Sequence, residues 1–288
     1  MKLYQLFSPF GLLCATMLAA IFVLGSCNAK SASSADDEKQ LMPNTLVLND
    51  GTTTVTWIKD NPGHAMREPQ LFGEVPDSII SQLGLEKGIP SSISTFLLHV
   101  DGKWVLFDTG LGIGRGQLVQ TLDSLGLSPD SISALYITHF HADHIGGMVH
   151  EGKAVFPKAE VYAGEREYNA WIKEMPSDKT QMQQEAMAVY KDRLHLFLFG
   201  DTLPHGVIAL DAVGHTPGHV VFQKDNLLII GDLLHGAALQ IPYPEYCAAY
   251  DMDPEQAVIS RRRILQYAAD KHLIMAGMHL GEPAFIEP

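Results

Sequence analysis

The polar and apolar positions of this chain alternate in short blocks, and the block pattern predicts its elements. Leu46-Val47-Leu48 and the alternating set Thr53, Val55 and Trp57 flank Asn49-Asp50-Gly51, the turn chemistry of a β-hairpin. A second hairpin is predicted over 94–107, turning at Asp101-Gly102 and ending at Asp108-Thr109-Gly110. Leu118, Leu122 and Leu125 recur at helical spacing and predict a helix over 117–125. A buried strand follows over 135–138. Strands are then predicted over 154–156 and 160–162, and helices over 165–172 and 181–194. The second half reads mostly as strand, over 196–198, 207–213, 219–222, 227–230 and 273–275. Asp253-Pro254 begins a helix to 269, with an N-cap followed by a proline at the first helical position. Residues 62–90 are rich in Pro and Gly, with a short apolar helix over 79–85, and read as an insertion over one face. Periodicity by itself supports an α/β or α+β protein.

The N-terminus has a different pattern. Met1-Lys2 precedes an almost uninterrupted apolar run over 12–24, which ends in Leu24-Gly25-Ser26-Cys27. The run is short for a bilayer span and fits the apolar core of a secretory signal. Leu-Gly-Ser-Cys resembles the lipobox of bacterial lipoproteins. That resemblance implies a signal peptide over 1–26, acylation of Cys27, and an exported protein held on the periplasmic or cell-surface side of a bacterial membrane. Residues 27–44 are small, polar and charged and read as a flexible tether. The body, 45–288, is expected to be soluble.

Composition narrows the partners. The apolar fraction is 46%, ordinary for a globular domain. The net charge is −13, and the single basic cluster, Arg261-Arg262-Arg263, is expected on the exposed side of a helix. Nucleic acid is therefore excluded as a partner, and a small-molecule substrate is expected. Of the three cysteines, Cys14 leaves with the signal and Cys27 carries lipid, so Cys247 has no disulfide partner and reads as a small buried residue.

Chemistry concentrates at Thr138-His139-Phe140-His141-Ala142-Asp143-His144-Ile145-Gly146-Gly147. On an extended exit from the preceding strand, His139 and His141 project to one side and can grip one ion. Gly146-Gly147 and a change to helical spacing place Asp143 and His144 at a helix start, where they can grip a second. Imidazole with carboxylate suits zinc and other divalent first-row ions, whereas calcium and magnesium prefer oxygen ligands. Three further stations follow apolar runs: Gly214-His215-Thr216-Pro217-Gly218-His219, Gly231-Asp232 and Met278-His279. A sheet delivers residues from the ends of adjacent strands, so stations distant in sequence can converge.

The His-x-His-x-Asp-His stretch with these stations resembles the metallo-β-lactamase superfamily over nearly all of 45–288. The resemblance implies a four-layer αββα sandwich. It also implies that His139, His141 and His215 hold one ion, that Asp143, His144 and His279 hold the other, and that Asp232 bridges them. Asp108 would orient a ligand histidine or merely cap a turn, and His219 would be structural or lie behind the ligands. Trp171 is the candidate pocket wall.

Two divalent ions about 3.5 to 4 Å apart can lower the pKa of a shared water toward about 7, which provides a bridging hydroxide at neutral pH. Asp143 and Asp232 would steer or deprotonate the nucleophile. The expected activity is hydrolysis with two divalent ions, zinc foremost. Asp232 stands where cysteine-using β-lactamases place their cysteine, and this argues against a β-lactamase. His141 in place of glutamate argues against a flavodiiron enzyme. Gly231-Asp232-Leu233-Leu234-His235 with Gln240, Phe156-Pro157-Lys158-Ala159, Trp171 and the 253–257 helix start resembles the methyl parathion hydrolase and lactonase subgroup. This implies lactone, carboxyl-ester or phosphotriester substrates. His235 takes the position of a tyrosine that touches substrate oxygen in quorum-quenching lactonases, and it is the third catalytic candidate beside Asp143 and Asp232. A glyoxalase II-like thioesterase and a non-catalytic metal-binding lipoprotein are the alternatives.

Overall fold

The computed structural model describes residues 44–287. The predicted signal peptide, Cys27 and all but the last residue of the tether lie outside the described residues.

The first half builds a seven-stranded sheet whose spatial order follows the chain. Its strands are β1 (Thr45–Val47), β2 (Thr54–Lys59), β3 (Ser94–Val100), β4 (Lys103–Phe107), β5 (Ile132–Ile137), β6 (Glu160–Gly164) and β7 (Leu194–Phe197). Pairing is antiparallel through both predicted hairpins and parallel from β4 to β7. The second half builds a six-stranded sheet, also in chain order. It comprises β8 (Thr202–Leu203), β9 (Val207–Asp211), β10 (Val220–Lys224), β11 (Leu227–Gly231), β12 (Ile274–Gly277) and β13 (Phe285–Ile286). Only β11 and β12 pair in parallel there.

Alternation along the strands sorts the core into layers. Phe96, Leu98, Phe107 and Tyr136 point from the first sheet into the cluster shared with Phe222 and Ile229 of the second. Their neighbours Leu97, Leu106, Leu135 and Ile137 point the other way, onto Leu118 and Leu122 of helix Leu118–Ser124 and Met187 of helix Gln181–Val189. Phe107 stacks on Tyr136 at 5.4 Å, and both meet Phe222 at 5.6 Å. Each such ring contributes about 1.5 to 3 kcal/mol by leaving water. Ile264 and Ala268 of helix Pro254–Asp270 close the far side of the second sheet. The architecture is the four-layer αββα sandwich.

Several elements depart from the periodicity reading. The strand expected over 154–156 shrinks to Lys153–Ala154, paired with Val149–His150. The helix expected to reach 194 stops at Val189, because Leu194 joins β7 and pairs with Val161. Edge pairing on the sheet outweighs helical spacing there.

Arg261 is a clear correction. It is 1% exposed, while Arg262 and Arg263 are exposed as expected. Ala257, Arg261, Ile264 and Ala268 fall on one stripe of the helix, and that stripe faces inward. Cys247 is half-buried, not enclosed. The 62–90 insertion forms ribbon Ala65–Arg67 with Ile89–Ser91 and helix Asp77–Leu83. Its Phe72, Ile80, Leu85 and Ile89 pack with Leu239 and Ala248 in a cluster of their own.

Candidate metal centre

Parallel neighbours carry the residues that follow them to the same edge of a sheet. Phe107 pairs with Tyr136, so Asp108 emerges beside Thr138 and His139. Gly231 pairs with Gly277, so Asp232 emerges beside Met278 and His279. His215 descends from the loop joining β9 to β10. Gly147 lets the histidine segment close down, since a Cβ there would collide with the Thr109 carbonyl.

All seven sequence-predicted ligands converge. Side-chain atoms of His139, His141, His215 and Asp232 gather within 4.8 Å of one another, and so do those of Asp143, His144 and His279. Asp232 sits between the groups. Its Oδ1 lies 3.0 Å from Nε2 of His144. Its Oδ2 lies 3.1 Å from Nε2 of His279, 3.3 Å from Nε2 of His215 and 3.7 Å from Nε2 of His139. Nδ1 of His141 is 2.9 Å from Nε2 of His215, and Oδ2 of Asp143 is 3.3 Å from Nε2 of His279.

In four of the histidines the outward nitrogen is already engaged, which sets the tautomer and leaves Nε2 aimed inward. His139 Nδ1 donates to Thr138 Oγ1 (3.1 Å), and His144 Nδ1 to Asp108 Oδ2 (2.7 Å). His215 Nδ1 donates to Asp251 Oδ1 (2.9 Å), and His279 Nδ1 to the Ser92 carbonyl (2.8 Å). Asp108 therefore does orient a candidate ligand histidine. It also accepts the amide and hydroxyl of Thr138.

The donor set fits divalent cations. Nε2 of His139, Nε2 of His144 and Oδ1 of Asp232 are buried without a hydrogen-bond partner, a costly arrangement unless a cation takes their lone pairs. Burial drives His139 well down and His141 to about 3, leaving both imidazoles neutral and able to ligate. Burial acts in the same sense on His279, but the carboxylates of Asp232 and Asp143 outweigh it and raise that imidazole to about 9. His144 is likewise raised, by Asp232, Asp143 and Asp108 against its burial. The carboxylates thus draw positive charge into a buried site, which is what divalent ions supply.

His219 stands behind the candidate ligands. Its Nδ1 donates to the Ala212 carbonyl, and its Nε2 accepts the Asp232 amide at 3.0 Å. His235 is fully buried, with Nε2 3.1 Å from Oδ2 of Asp232, its ring on that of His279, and its amide held by Gln240 Oε1. It does not line the cavity. Trp171 also lies behind the wall: its ring meets His141 edge-on at 5.6 Å, and Nε1 donates to Glu167. The cavity over the centre holds about 380 Å³ and is lined by His141, His215 and His279 with Arg67, Ile93 and Tyr250.

Three supports escaped the sequence reading. Glu167, wholly buried, accepts the Phe140 amide and Trp171 Nε1 on one oxygen and the Thr216 hydroxyl and Gly218 amide on the other. It straps the His141 segment to the His215 loop. Burial pushes its carboxyl up against the pull of those donors. Asp251 holds His215 and is itself held by Arg261, whose Nη2 is 3.0 Å from Oδ2. Nothing in the local pattern of Glu165-Arg166-Glu167 or Asp251-Met252-Asp253 distinguishes these carboxylates from surface ones. The inward stripe of the last long helix does point to Arg261.

The family model for the metallo-beta-lactamase superfamily matches residues 88–279. The chain belongs to the metallo-β-lactamase superfamily. Its histidine and aspartate clusters are of the superfamily's metal-binding kind. Among solved structures it is similar to the hydrolase AbOPH, at 28% identity and a TM-score of 0.74, covering 82% of this chain and 90% of that one. It is similar to AidC, a dizinc quorum-quenching lactonase crystallised with N-hexanoyl-homoserine product, at 26% identity and a TM-score of 0.74, covering 84% and 92%. A hydroxyacylglutathione hydrolase of Methylobacillus flagellatus is 28% identical over 142 residues, 49% of this chain and 47% of that protein. The match thus spans about half the length of that curated relative.

Proposed function

We propose that this metallo-β-lactamase-fold chain is a dinuclear metal-dependent hydrolase of lactone, carboxyl-ester or phosphotriester bonds. The observation that carries the reading is Asp232, whose two oxygens face His144 on one side and His139, His215 and His279 on the other. His139, His141 and His215 would hold one ion, Asp143, His144 and His279 the second, and Asp232 both. When bound, divalent ions, zinc foremost, supply Lewis-acid polarisation of the substrate oxygen and an activated water.

The chain's own residues do the rest. Asp143 lines the cavity with its carboxylate partly exposed. Burial would raise that carboxyl, but His144 and His279 hold it below the usual range, so it stays ionised near neutral pH, able to ligate a cation and to accept a hydrogen bond at the cavity floor. His219 and His235 fix Asp232 from behind through its amide and its Oδ2. Ile93 and Tyr250 shape the wall on which the substrate's apolar part rests.

Likeness to a lactonase and a hydrolase over more than four-fifths of the chain supports oxygen esters and lactones. Similarity to two hydroxyacylglutathione hydrolases, the second from Vibrio parahaemolyticus at 31% identity over 125 residues, supports a thioesterase as the second reading. Metal-replete protein assayed against lactones, aryl esters, phosphotriesters and thioesters, with bound metal counted on the same preparation, tests both. Turnover of an oxygen ester or lactone with close to two ions is expected. At most one ion, or selective turnover of thioesters, would overturn the first reading. The proposal includes export and anchoring to a bacterial membrane through lipid on Cys27, with the catalytic body facing away from the cytoplasm.

A further inference from the structure

Arg67 is a cation with no carboxylate partner among the described residues, and it lines the cavity over the metal centre. The setting is unusual, because this chain carries a net charge of −13 and its other half-buried or buried cations among the described residues have work elsewhere: Lys59 pairs with Glu282, Lys224 with Asp225 and Arg261 with Asp251, while Arg193 donates to the Pro157 carbonyl and lies over the Tyr190 ring. The ribbon Ala65–Arg67 with Ile89–Ser91, part of the insertion, brings the side chain there.

Its contacts account for little of its hydrogen-bonding capacity. Nε donates to Ser91 Oγ at 3.3 Å, and the guanidinium lies 6.0 Å from the Tyr250 ring centre. Nη2 is 3.4 Å from Nδ1 of His279. That nitrogen cannot accept from it, since Nδ1 carries the hydrogen donated to the Ser92 carbonyl. A contact between two N–H groups holds neither. The terminal N–H groups therefore form a planar fork beside the cavity, the geometry that binds a carboxylate bidentately. They stand one imidazole ring away from the ligand atom of His279.

We propose that Arg67 is a specificity-determining residue that binds a carboxylate on the substrate, remote from the scissile bond. This rests on the hydrolase reading and deepens it: the preferred ester or lactone is anionic, with its carboxylate on Arg67 and its apolar part on Tyr250. A neutral substrate leaves the fork unanswered.

The test compares para-carboxyphenyl butyrate with its neutral isostere para-carbamoylphenyl butyrate, using metal-loaded parent, Arg67→Met and Arg67→Lys proteins. The parent is expected to favour the anionic ester in kcat/KM. In Arg67→Met that preference should fall about 10- to 100-fold, the scale of a charge-assisted hydrogen-bonded pair, mostly through KM. Arg67→Lys should recover part of it. Calorimetric titration with para-hydroxybenzoate and para-hydroxybenzamide reads the same contact without turnover, so it separates failure of this inference from failure of the hydrolase reading. Weaker benzoate binding in Arg67→Met, with benzamide binding and metal content unaltered, supports the assignment even where neither ester is turned over. Equal benzoate affinity in parent and Arg67→Met, or an unchanged ester preference, overturns it.

Discussion

Asp108 and His144 are joined by a 2.7 Å contact between Oδ2 and Nδ1, and the same carboxylate takes the amide and hydroxyl of Thr138 at 2.8 and 2.7 Å. One buried side chain thus sets both the strand exit that carries His139 and the ring orientation of His144. Asp108→Asn removes the charge but keeps the shape. Outer partners of ligand histidines typically contribute 10- to 100-fold in metal affinity, so a loss of about that size is expected. Competitive titration with a zinc chelator measures it. Unaltered affinity at the weaker site would show that Asp108 only caps its turn.

Arg261 and Asp251 form a buried pair beneath His215. Arg261→Met leaves Asp251 uncompensated and should cost about 3 to 5 kcal/mol of unfolding free energy in a denaturant titration. Adding Asp251→Asn removes the stranded charge while keeping an acceptor for His215 Nδ1, so stability should return in part. If the double variant is no more stable than Arg261→Met, the pairing is not what holds Arg261 in place.

The stations of the site were legible because each ligand type follows an apolar strand, and strand ends converge wherever a sheet forms. His139, His141, Asp143, His144, His215, Asp232 and His279 all meet accordingly. What stands behind them was less legible. Glu167 and Asp251 act through long-range contacts, 51 residues to Gly218 and 36 to His215, and local spacing carries no trace of such pairings. His235 and Trp171 were expected at the site and lie beside it, but neither lines the cavity. Sequence offset from Asp232 fixes proximity to that carboxylate without saying which face of it the ring will occupy. The hairpins were plain from alternation and turn residues. The helix over 181–194 was overextended because local periodicity cannot register that Leu194 meets Val161 across a sheet edge.

Glu167 receives two donors on each oxygen. In Glu167→Gln, either amide orientation turns an NH2 toward two N–H or O–H donors. The buried mismatch should cost about 1 to 3 kcal/mol, read as a lower denaturation midpoint. A midpoint equal to the parent's would mean that the strap between the two ligand segments contributes nothing.

Cys27 follows Leu24-Gly25-Ser26 and lies outside the described residues. Cys27→Ala should abolish N-terminal acylation and leave unprocessed precursor or protein in a soluble fraction. Mass spectrometry of the N-terminal peptide decides the matter. Parent protein with no lipid mass on that peptide would remove the lipoprotein reading.

His235 separates support from chemistry. Its ring is fully buried and held at the main chain by Gln240, and its Nε2 meets Oδ2 of Asp232, the oxygen that also faces His215 and His279. Burial lowers this imidazole to about 4 even beside that carboxylate, so it is neutral near pH 7 and donates one hydrogen through Nε2. Acting through Asp232, it fixes which lone pairs of the bridging candidate point at the centre. His235→Ala should then weaken metal binding by about 10- to 100-fold, with turnover per bound metal nearly unchanged, and His235→Gln, which can still donate, should restore part of the affinity. A direct role toward the substrate oxygen gives the opposite split: both ions retained and a loss of about 10² to 10³ in kcat, the scale for removing one such donor. Bound metal and kcat measured on the same preparation distinguish the two, and the second pattern would move His235 from behind Asp232 to the reacting atoms.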